Sequence, residues 1–235
     1  MPNNMDTFLS VIVPAHNEED YIEKTLISIT NSSYKNYELI VVCDSCSDRT
    51  AEISKKYTQK VYSVDYKNTS QTRNYGASKG NGGIIVFSDA DTICSNDYLA
   101  SVVKAINAGG DYGCSKITSE TGTWKGWFMI GRIDRYFRMS KSFGGNFFVR
   151  KDFFVKTNGF DENMIKGEDT DLADRLYGSG AKFFYIKDSY VITSERRFQK
   201  YGYFHYYINS VKEALLYFFN KSKYKEVFRR KEGGY

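Results

Sequence analysis

Asp89-Ala90-Asp91 sets two carboxylates one residue apart at the end of the apolar run Ile84-Ile85-Val86-Phe87-Ser88. A strand made of that run delivers its last residues to the mouth of an open α/β sheet, where such sheets bind ligands. Carboxylates so close repel each other unless a cation, usually Mg²⁺ or Mn²⁺, lies between them and a phosphate. Alone, the same three residues also fit a solvated turn. Three more polar clusters follow strand-like runs: Pro14 to Glu19, Asp44 to Asp48, and Gly145-Asn146. In a parallel sheet these four places converge on one crevice, which makes a site for a phosphorylated ligand.

The elements that must position the clusters alternate strand and helix over the first hundred residues, the βαβ pattern of a mainly parallel sheet with right-handed crossovers. Phe8 to Val13 reads as a strand stopped by Pro14, and a helix opens at Asn17 or Glu18 and runs to Asn31. Leu39 to Cys43 and Val61 to Val64 are further strands, with a helix near Thr50 to Lys56 between them. Ser70 to Lys79 is a helix carrying Arg73 and Asn74 near its start. After a helix over Asn96 to Ala108 come a strand (Tyr112 to Thr118), a helix mixing aromatics with arginines (Trp124 to Ser140) and a strand (Phe147 to Arg150). Gly167-Glu168-Asp169-Thr170-Asp171-Leu172 opens a helix reaching about Tyr177, and Val191 to Arg197 is strand-like.

A chain of 235 residues can bury one core with a small appendage. Its net charge of +5 does not by itself argue for nucleic acid, and the excess sits in the last forty residues. Cys43-x-x-Cys46 lacks a second pair of matching spacing, so the four cysteines read as free thiols in a reducing compartment. No apolar run approaches a membrane span and Met1 to Phe8 has no signal-peptide core, so a cytoplasmic protein is expected.

Val13-Pro14-Ala15-His16-Asn17-Glu18-Glu19, Asp44-Ser45-Cys46-Ser47-Asp48, Arg73-Asn74-Tyr75-Gly76, Asp89-Ala90-Asp91 and Gly167 to Leu172 follow one another in the order and spacing that resemble glycosyltransferase family 2, over roughly residues 8 to 197. The resemblance implies a GT-A fold: a Rossmann-like, mainly parallel sheet flanked by helices. It implies a domain over 1–198, with a nucleotide-binding half at about 1–95 and an acceptor-side half at about 96–198, before a basic, aromatic helical tail at 199–235. It implies a hexosyltransferase-type enzyme that moves one sugar from a nucleoside-diphosphate sugar, commonly UDP-linked, to an acceptor hydroxyl with inversion. Pro14, Ala15, Asn17 and Glu18 would then line the nucleotide, Asp44 the base, and Arg73 the base and phosphate. Asp91 would bind the divalent cation, Mn²⁺ or Mg²⁺, and Asp89 would contact sugar, ribose or metal-bound water. Glu168-Asp169 matches the acceptor-side acid pair, with Asp169 as general base, a role that competes with helix capping. Gly145 would leave room for the sugar and Asn146 would touch it.

The chain departs from the processive members of that family, whose Gln-x-x-Arg-Trp motif is here Ser194-Glu195-Arg196-Arg197-Phe198. Arg196 or Arg197 could approach a diphosphate, as guanidinium forks suit that geometry. From Arg196 to Lys231 there are ten Lys or Arg against two acids, and Phe204, Ile208, Val211, Leu215 and Phe218 fall at helical spacing. That helix either packs its stripe on the domain or rests on an anionic membrane surface at the inner face, which would suit a lipid-linked rather than a free saccharide acceptor. A sugar-1-phosphate nucleotidyltransferase is the rival enzyme, but Pro14 to Glu19 has no glycine-rich loop. A non-catalytic sugar-nucleotide or membrane-surface module is the rival without chemistry. Nucleic acid is not an expected partner.

Overall fold

The computed structural model describes residues 7–229. Eight strands form one sheet: β1 (Leu9–Ala15), β2 (Tyr37–Asp44), β3 (Lys60–Val64), β4 (Ile84–Phe87), β5 (Thr92–Cys94), β6 (Tyr112–Ser119), β7 (Phe147–Arg150) and β8 (Phe183–Thr193). Their order is β3-β2-β1-β4-β7-β6-β8-β5. The β3-β2-β1-β4 half is parallel throughout, so the carboxyl ends of these strands open on one side. Beyond β4 the sheet is mixed: β7 runs antiparallel to both β4 and β6, β8 runs parallel to β6, and β5 closes the edge antiparallel to β8. Strands β1, β2 and β4 are buried nearly end to end, as continuous apolar runs covered on both faces must be.

The crossover helices α1 (Ile22–Thr30), α2 (Thr50–Ser54) and α3 (Thr69–Lys79) flank the parallel half, and α4 (Tyr98–Asn107) packs against β8. One core holds Val11, Val41, Val86, Leu26 and Val102, and the opposite face is aromatic, with Phe87, Phe143 and Phe147 stacked in series. The remaining helices are α5 (Trp124–Ser140), α6 (Lys151–Lys156) and α7 (Glu168–Gly178), followed by α8 (Arg196–Tyr201), α9 (Tyr203–Phe219) and α10 (Lys221–Phe228).

Three expectations from sequence are corrected. The first helix begins at Ile22 rather than Asn17 or Glu18, because residues 17–19 are held by the loop after β2 instead: Asn17 Oδ1 accepts from the Ser47 amide, Glu18 N–H donates to Thr50 Oγ1 and Glu19 N–H donates to Asp48 Oδ2. The strand-like segment Val191 to Arg197 divides, with β8 ending at Thr193 and both arginines opening α8. In the tail, Phe204, Leu215 and Phe218 of the expected stripe are exposed. The tail packs instead through buried Tyr217 and Tyr224, and Lys221, Lys225 and Arg229 pair with Asp174, Asp171 and Asp161. The last six residues of the expected tail lie outside the described residues. Among the described residues no helix is long and apolar enough to cross a membrane.

Candidate active site

The carboxyl ends of β1, β2 and β4 open into a cleft of about 500 Å³, within the usual range for a small-molecule site. Its wall includes Pro14, Ala15, His16 and Glu18 after β1, Asp44 at the end of β2, and Asp89 and Asp91 after β4. Arg73 from α3, Gly145, Glu168 and Asp169 from α7, and Arg196 and Arg197 from α8 complete it. Candidates scattered over some 180 residues therefore share one space. Asn17 and Asn146 stand just behind it.

The turn that bears the acid pair is fixed on every side. The Thr92 amide donates to the Asp89 carbonyl at 3.2 Å, closing the turn, and the Thr25 hydroxyl donates to the Ala90 carbonyl at 2.7 Å. The Asp89 amide donates to Asn146 Oδ1 at 3.1 Å, while Asn146 Nδ2 donates to Thr92 Oγ1 at 3.0 Å. Gly145 and Asn146 do not follow a strand as expected but precede β7, whose antiparallel course sets its start beside the end of β4. Asn146 thus clamps the turn from behind. Gly145 is needed for close approach: a Cβ there would collide with the Asp89 carboxylate, so the room that this glycine leaves is filled by Asp89 itself.

Arg73 is 3% exposed and joins the two halves of the cleft. Its Nη2 donates to Asp89 Oδ1 at 2.9 Å, and its Nη1 donates to Asp169 Oδ1 at 3.0 Å and to Glu168 Oε1 at 3.1 Å. Burial works against its charge, but the three carboxylates outweigh burial and hold the guanidinium firmly protonated. Its Nε is buried with no partner among the described residues, and its Cζ sits 5.3 Å from the Phe160 ring centre.

Asp169 stands at the start of α7, which Gly167 enters with φ +75° against the Tyr224 hydroxyl. No side chain caps this helix, and the Asp169 carboxylate turns to Arg73 rather than to a backbone amide. Burial pushes the Asp169 carboxyl up to about 8; Arg73 pulls it down, while Glu168 and Asp89 push it further up. Its second oxygen carries no hydrogen bond among the described residues. A carboxylate raised toward neutrality and held by one oxygen has the character of a general base.

Across the cleft, Arg196 forms a forked pair with Glu18, at 2.7 and 2.5 Å, and lies 3.1 Å from Asp91 Oδ2. Burial, then the charge of Asp89, pushes the Asp91 carboxyl up to about 6, while Arg196 opposes the rise. Arg197 is exposed, makes no ion pair among the described residues, and its charge lowers both Asp91 and Asp169. Asp44 is engaged by its own chain. The amides of Tyr66, Lys67 and Asn68 and the hydroxyls of Thr72 and Ser45 all donate to it. Burial raises that carboxyl, but these hydrogen bonds outweigh it and hold the group below its ordinary value.

Six acids and three arginines line the cleft, so a diphosphate entering it requires further positive charge. No group of three or more ligating side chains converges on a point among the described residues. The donor set still fits a hard divalent cation, because Asp91 offers carboxylate oxygen to a place that a guanidinium now neutralises.

One buried acid escaped the sequence reading, whereas His16 belongs to the segment expected to line the nucleotide. His16 lines the cleft and its Nδ1 donates to the Asp44 carbonyl at 2.7 Å. Glu195 is fully buried and accepts from Ser119, from the Thr121 amide and hydroxyl, and from the Tyr203 hydroxyl, locking α8 and α9 to the start of α5. An acid between a serine and two arginines reads as a surface turn, and nothing local marks it as a core residue.

A family model described as glycosyl transferase family 2 matches residues 10–160, and one described as the N-terminal domain of galactosyltransferase matches 129–201. A probable glycosyltransferase of Bacillus subtilis, YdaM, is 31% identical over 199 residues, 73% of this chain and 47% of that protein. A dolichol-phosphate mannosyltransferase of Pyrococcus furiosus is 30% identical over 142 residues, 53% of this chain and 40% of that protein. The chain thus spans under half the length of both. Among solved structures, TarS of S. aureus in complex with UDP-GlcNAc superposes with a TM-score of 0.66 at 20% identity, covering 80% of this chain and 59% of that one. The mannosyltransferase PcManGT of Pyrobaculum calidifontis, in complex with GDP-Man and Mn²⁺, gives 0.65 at 19% identity, covering 78% and 56%. The curled mixed sheet with its flanking helices is the GT-A fold of these neighbours, and the chain belongs to glycosyl transferase family 2.

Proposed function

We propose that this chain moves one sugar from a nucleoside-diphosphate sugar to an acceptor hydroxyl with inversion. Asp169 accepts the hydroxyl proton through its free oxygen as the acceptor oxygen bonds to the anomeric carbon. The bond from that carbon to the diphosphate breaks, and the nucleoside diphosphate leaves. The observation that carries this reading is the position of Arg73, which ties Asp169 and Glu168 on the acceptor side to Asp89 on the donor side. A base must lie across the anomeric carbon from the leaving group, and this bridge holds the two sides at a fixed separation.

Asp91 is the residue that would hold a Mn²⁺ or Mg²⁺ ion, with Asp89 beside it. When bound, such a cation supplies Lewis-acid neutralisation of the departing diphosphate. Arg197, exposed over the same space, is placed to meet a phosphate oxygen, and Arg196 would join it on leaving Asp91. Pro14, Ala15 and Glu18 line the nucleotide's share of the cleft. The UDP-GlcNAc and GDP-Man complexes of the neighbours support a nucleotide-sugar donor, and UDP is the first to test. The acceptor is a saccharide or a lipid-linked saccharide.

Thermal shift with UDP, GDP, ADP and CDP, each with and without Mn²⁺, tests the donor side. One diphosphate is expected to raise Tm in the presence of the metal and to do less in EDTA. If none does so, the assignment of this cleft fails.

A further inference from the structure

Both tryptophans of the chain lie on the surface, one helical turn apart. Trp124 is 74% exposed and Trp127 is 73% exposed, and Phe128 beside them is 51% exposed. All three stand on the outer side of α5, whose inner residues Ile130, Ile133 and Phe137 line a small cavity that opens on Asp89, Asp91 and Arg197. A helix that walls an active site on one side ordinarily turns charge to water on the other. Three large aromatic rings in water are instead a surface that wants covering.

Helix α9 packs beside α5. Arg132 of α5 sits 4.7 Å from the Tyr207 ring and 5.8 Å from the Phe128 ring, which brings the two helices together. Toward the protein, α9 presents Tyr207, Val211, Ala214 and Tyr217; away from it stand Phe204, Leu215 and Phe219, which are 76%, 50% and 86% exposed. The apolar face of this helix is thus wider than the part the fold covers, and Phe218 at its border is also exposed. Such a pattern belongs to a helix with a second apolar neighbour.

Charge selects that neighbour. Lys125, Arg132 and Arg135 share the exposed side of α5, and the only acid of that helix, Asp134, turns inward to the Ile117 amide and the Tyr185 hydroxyl. The basic residues in and just after α10 are largely spent: Lys221, Lys225 and Arg229 pair with acids of the domain. Tryptophan and phenylalanine beside unopposed arginine and lysine, on helices lying side by side, suit the boundary between headgroups and acyl chains of an anionic bilayer.

We propose that the exposed aromatic side of α5, extended by Phe204, Leu215 and Phe219 of α9, docks this protein on anionic lipid membranes. The surface shares Phe204 and Leu215 with the tail stripe that the sequence singled out, but it centres on α5, because Lys221, Lys225 and Arg229 of the tail are held by the domain. Docking here brings α5, whose inner side walls the cavity beside Asp89 and Asp91, against the bilayer, so that a lipid-linked acceptor would reach its hydroxyl into that cavity past the helix. Only that last statement rests on the transferase reading; membrane binding itself does not.

Because both tryptophans lie in the patch, tryptophan emission, excited beyond the tyrosine absorption, reports on it alone. The full chain is titrated with phosphatidylcholine vesicles containing phosphatidylglycerol and with pure phosphatidylcholine vesicles. Flotation is run in parallel, and the oligomeric state without lipid is measured by light scattering. The expected result is a blue-shifted emission and co-flotation with the anionic vesicles, weakened by high salt. The variant W124S/W127S, which keeps the fold by circular dichroism, should float at least about tenfold less, as losing two buried aromatic side chains implies. Three results would overturn the proposal: no binding to anionic vesicles, binding that survives W124S/W127S unchanged, or emission already blue-shifted without lipid in a dimer that W124S/W127S dissociates. Since the readout is binding, it stands or falls apart from any failure to find a nucleotide sugar.

Discussion

Arg196 stands 3.1 Å from Asp91 Oδ2 while its fork grips Glu18, so the chain carries its own cation where the candidate metal ligand points. A divalent ion approaching Asp91 meets a resident positive charge and must displace it. Replacing Arg196 removes that competitor. Arg196→Gln is therefore expected to tighten the binding of Mn²⁺ alone several-fold, measured by electron paramagnetic resonance. Binding that weakens or stays the same would show that Arg196 does not compete for Asp91.

Asp169 gives a pH prediction. Its folded carboxyl is raised to about 8 by burial, so the native state holds a proton that the unfolded chain releases near pH 4. Its contribution to stability is complete below pH 4 and is lost as pH rises toward 8. Asp169→Asn is thus expected to be stabilised relative to wild type by roughly 1–3 kcal/mol at pH 9 and by little at pH 4, as followed by urea denaturation. The acid limb of kcat/KM in the wild type should lie well above the ordinary carboxylate range.

Gly145 offers a test of the acid turn that leaves all charges in place. Its Cα backs directly on the Asp89 carboxylate, so Gly145→Ala must push Asp89 out of its hydrogen bond with Arg73. Turnover should fall at least about 100-fold, with a melting temperature close to wild type. Unchanged turnover would mean that the position of Asp89 does not matter.

Glu195 should act on stability. It accepts from three residues in a fully buried site, and Glu195→Ala leaves those donors unsatisfied. A loss of about 2–4 kcal/mol is expected in chemical denaturation. Because α8 hangs from this residue, the Arg196 and Arg197 side chains should also lose order, seen as weaker nucleotide binding.

The parallel half of the fold was legible because buried strands are unbroken apolar runs, as in Ile84 to Phe87, and because each run ends in a polar loop that must lie on the same side. Trp124–Ser140 and Phe147–Arg150 emerge with the bounds read from sequence. Strand β8 was read only at its end, since its middle alternates Tyr185, Lys187 and Asp188 and a bulge opposite Ser115 and Lys116 breaks the register. The site residues were legible as types, but their pairings were not. Arg73 reaches Asp169 across 96 residues and Arg196 reaches Glu18 across 178, and no local pattern carries such contacts. Asp44 and Asn146 show the complement. Residues chosen for a ligand also brace the loops that form its cleft.

The account turns on Asp169. The most direct measurement is release of nucleoside diphosphate from the nucleotide sugar that binds, with Mn²⁺ present and water as acceptor, for wild type and Asp169→Asn. The same binding assay confirms that both hold the donor, and proton NMR identifies the anomer released. The account predicts an inverted sugar from the wild type and a rate at least about 100-fold lower for Asp169→Asn, with donor binding retained. A retained anomer, or an Asp169→Asn rate within a few-fold of wild type, would contradict it.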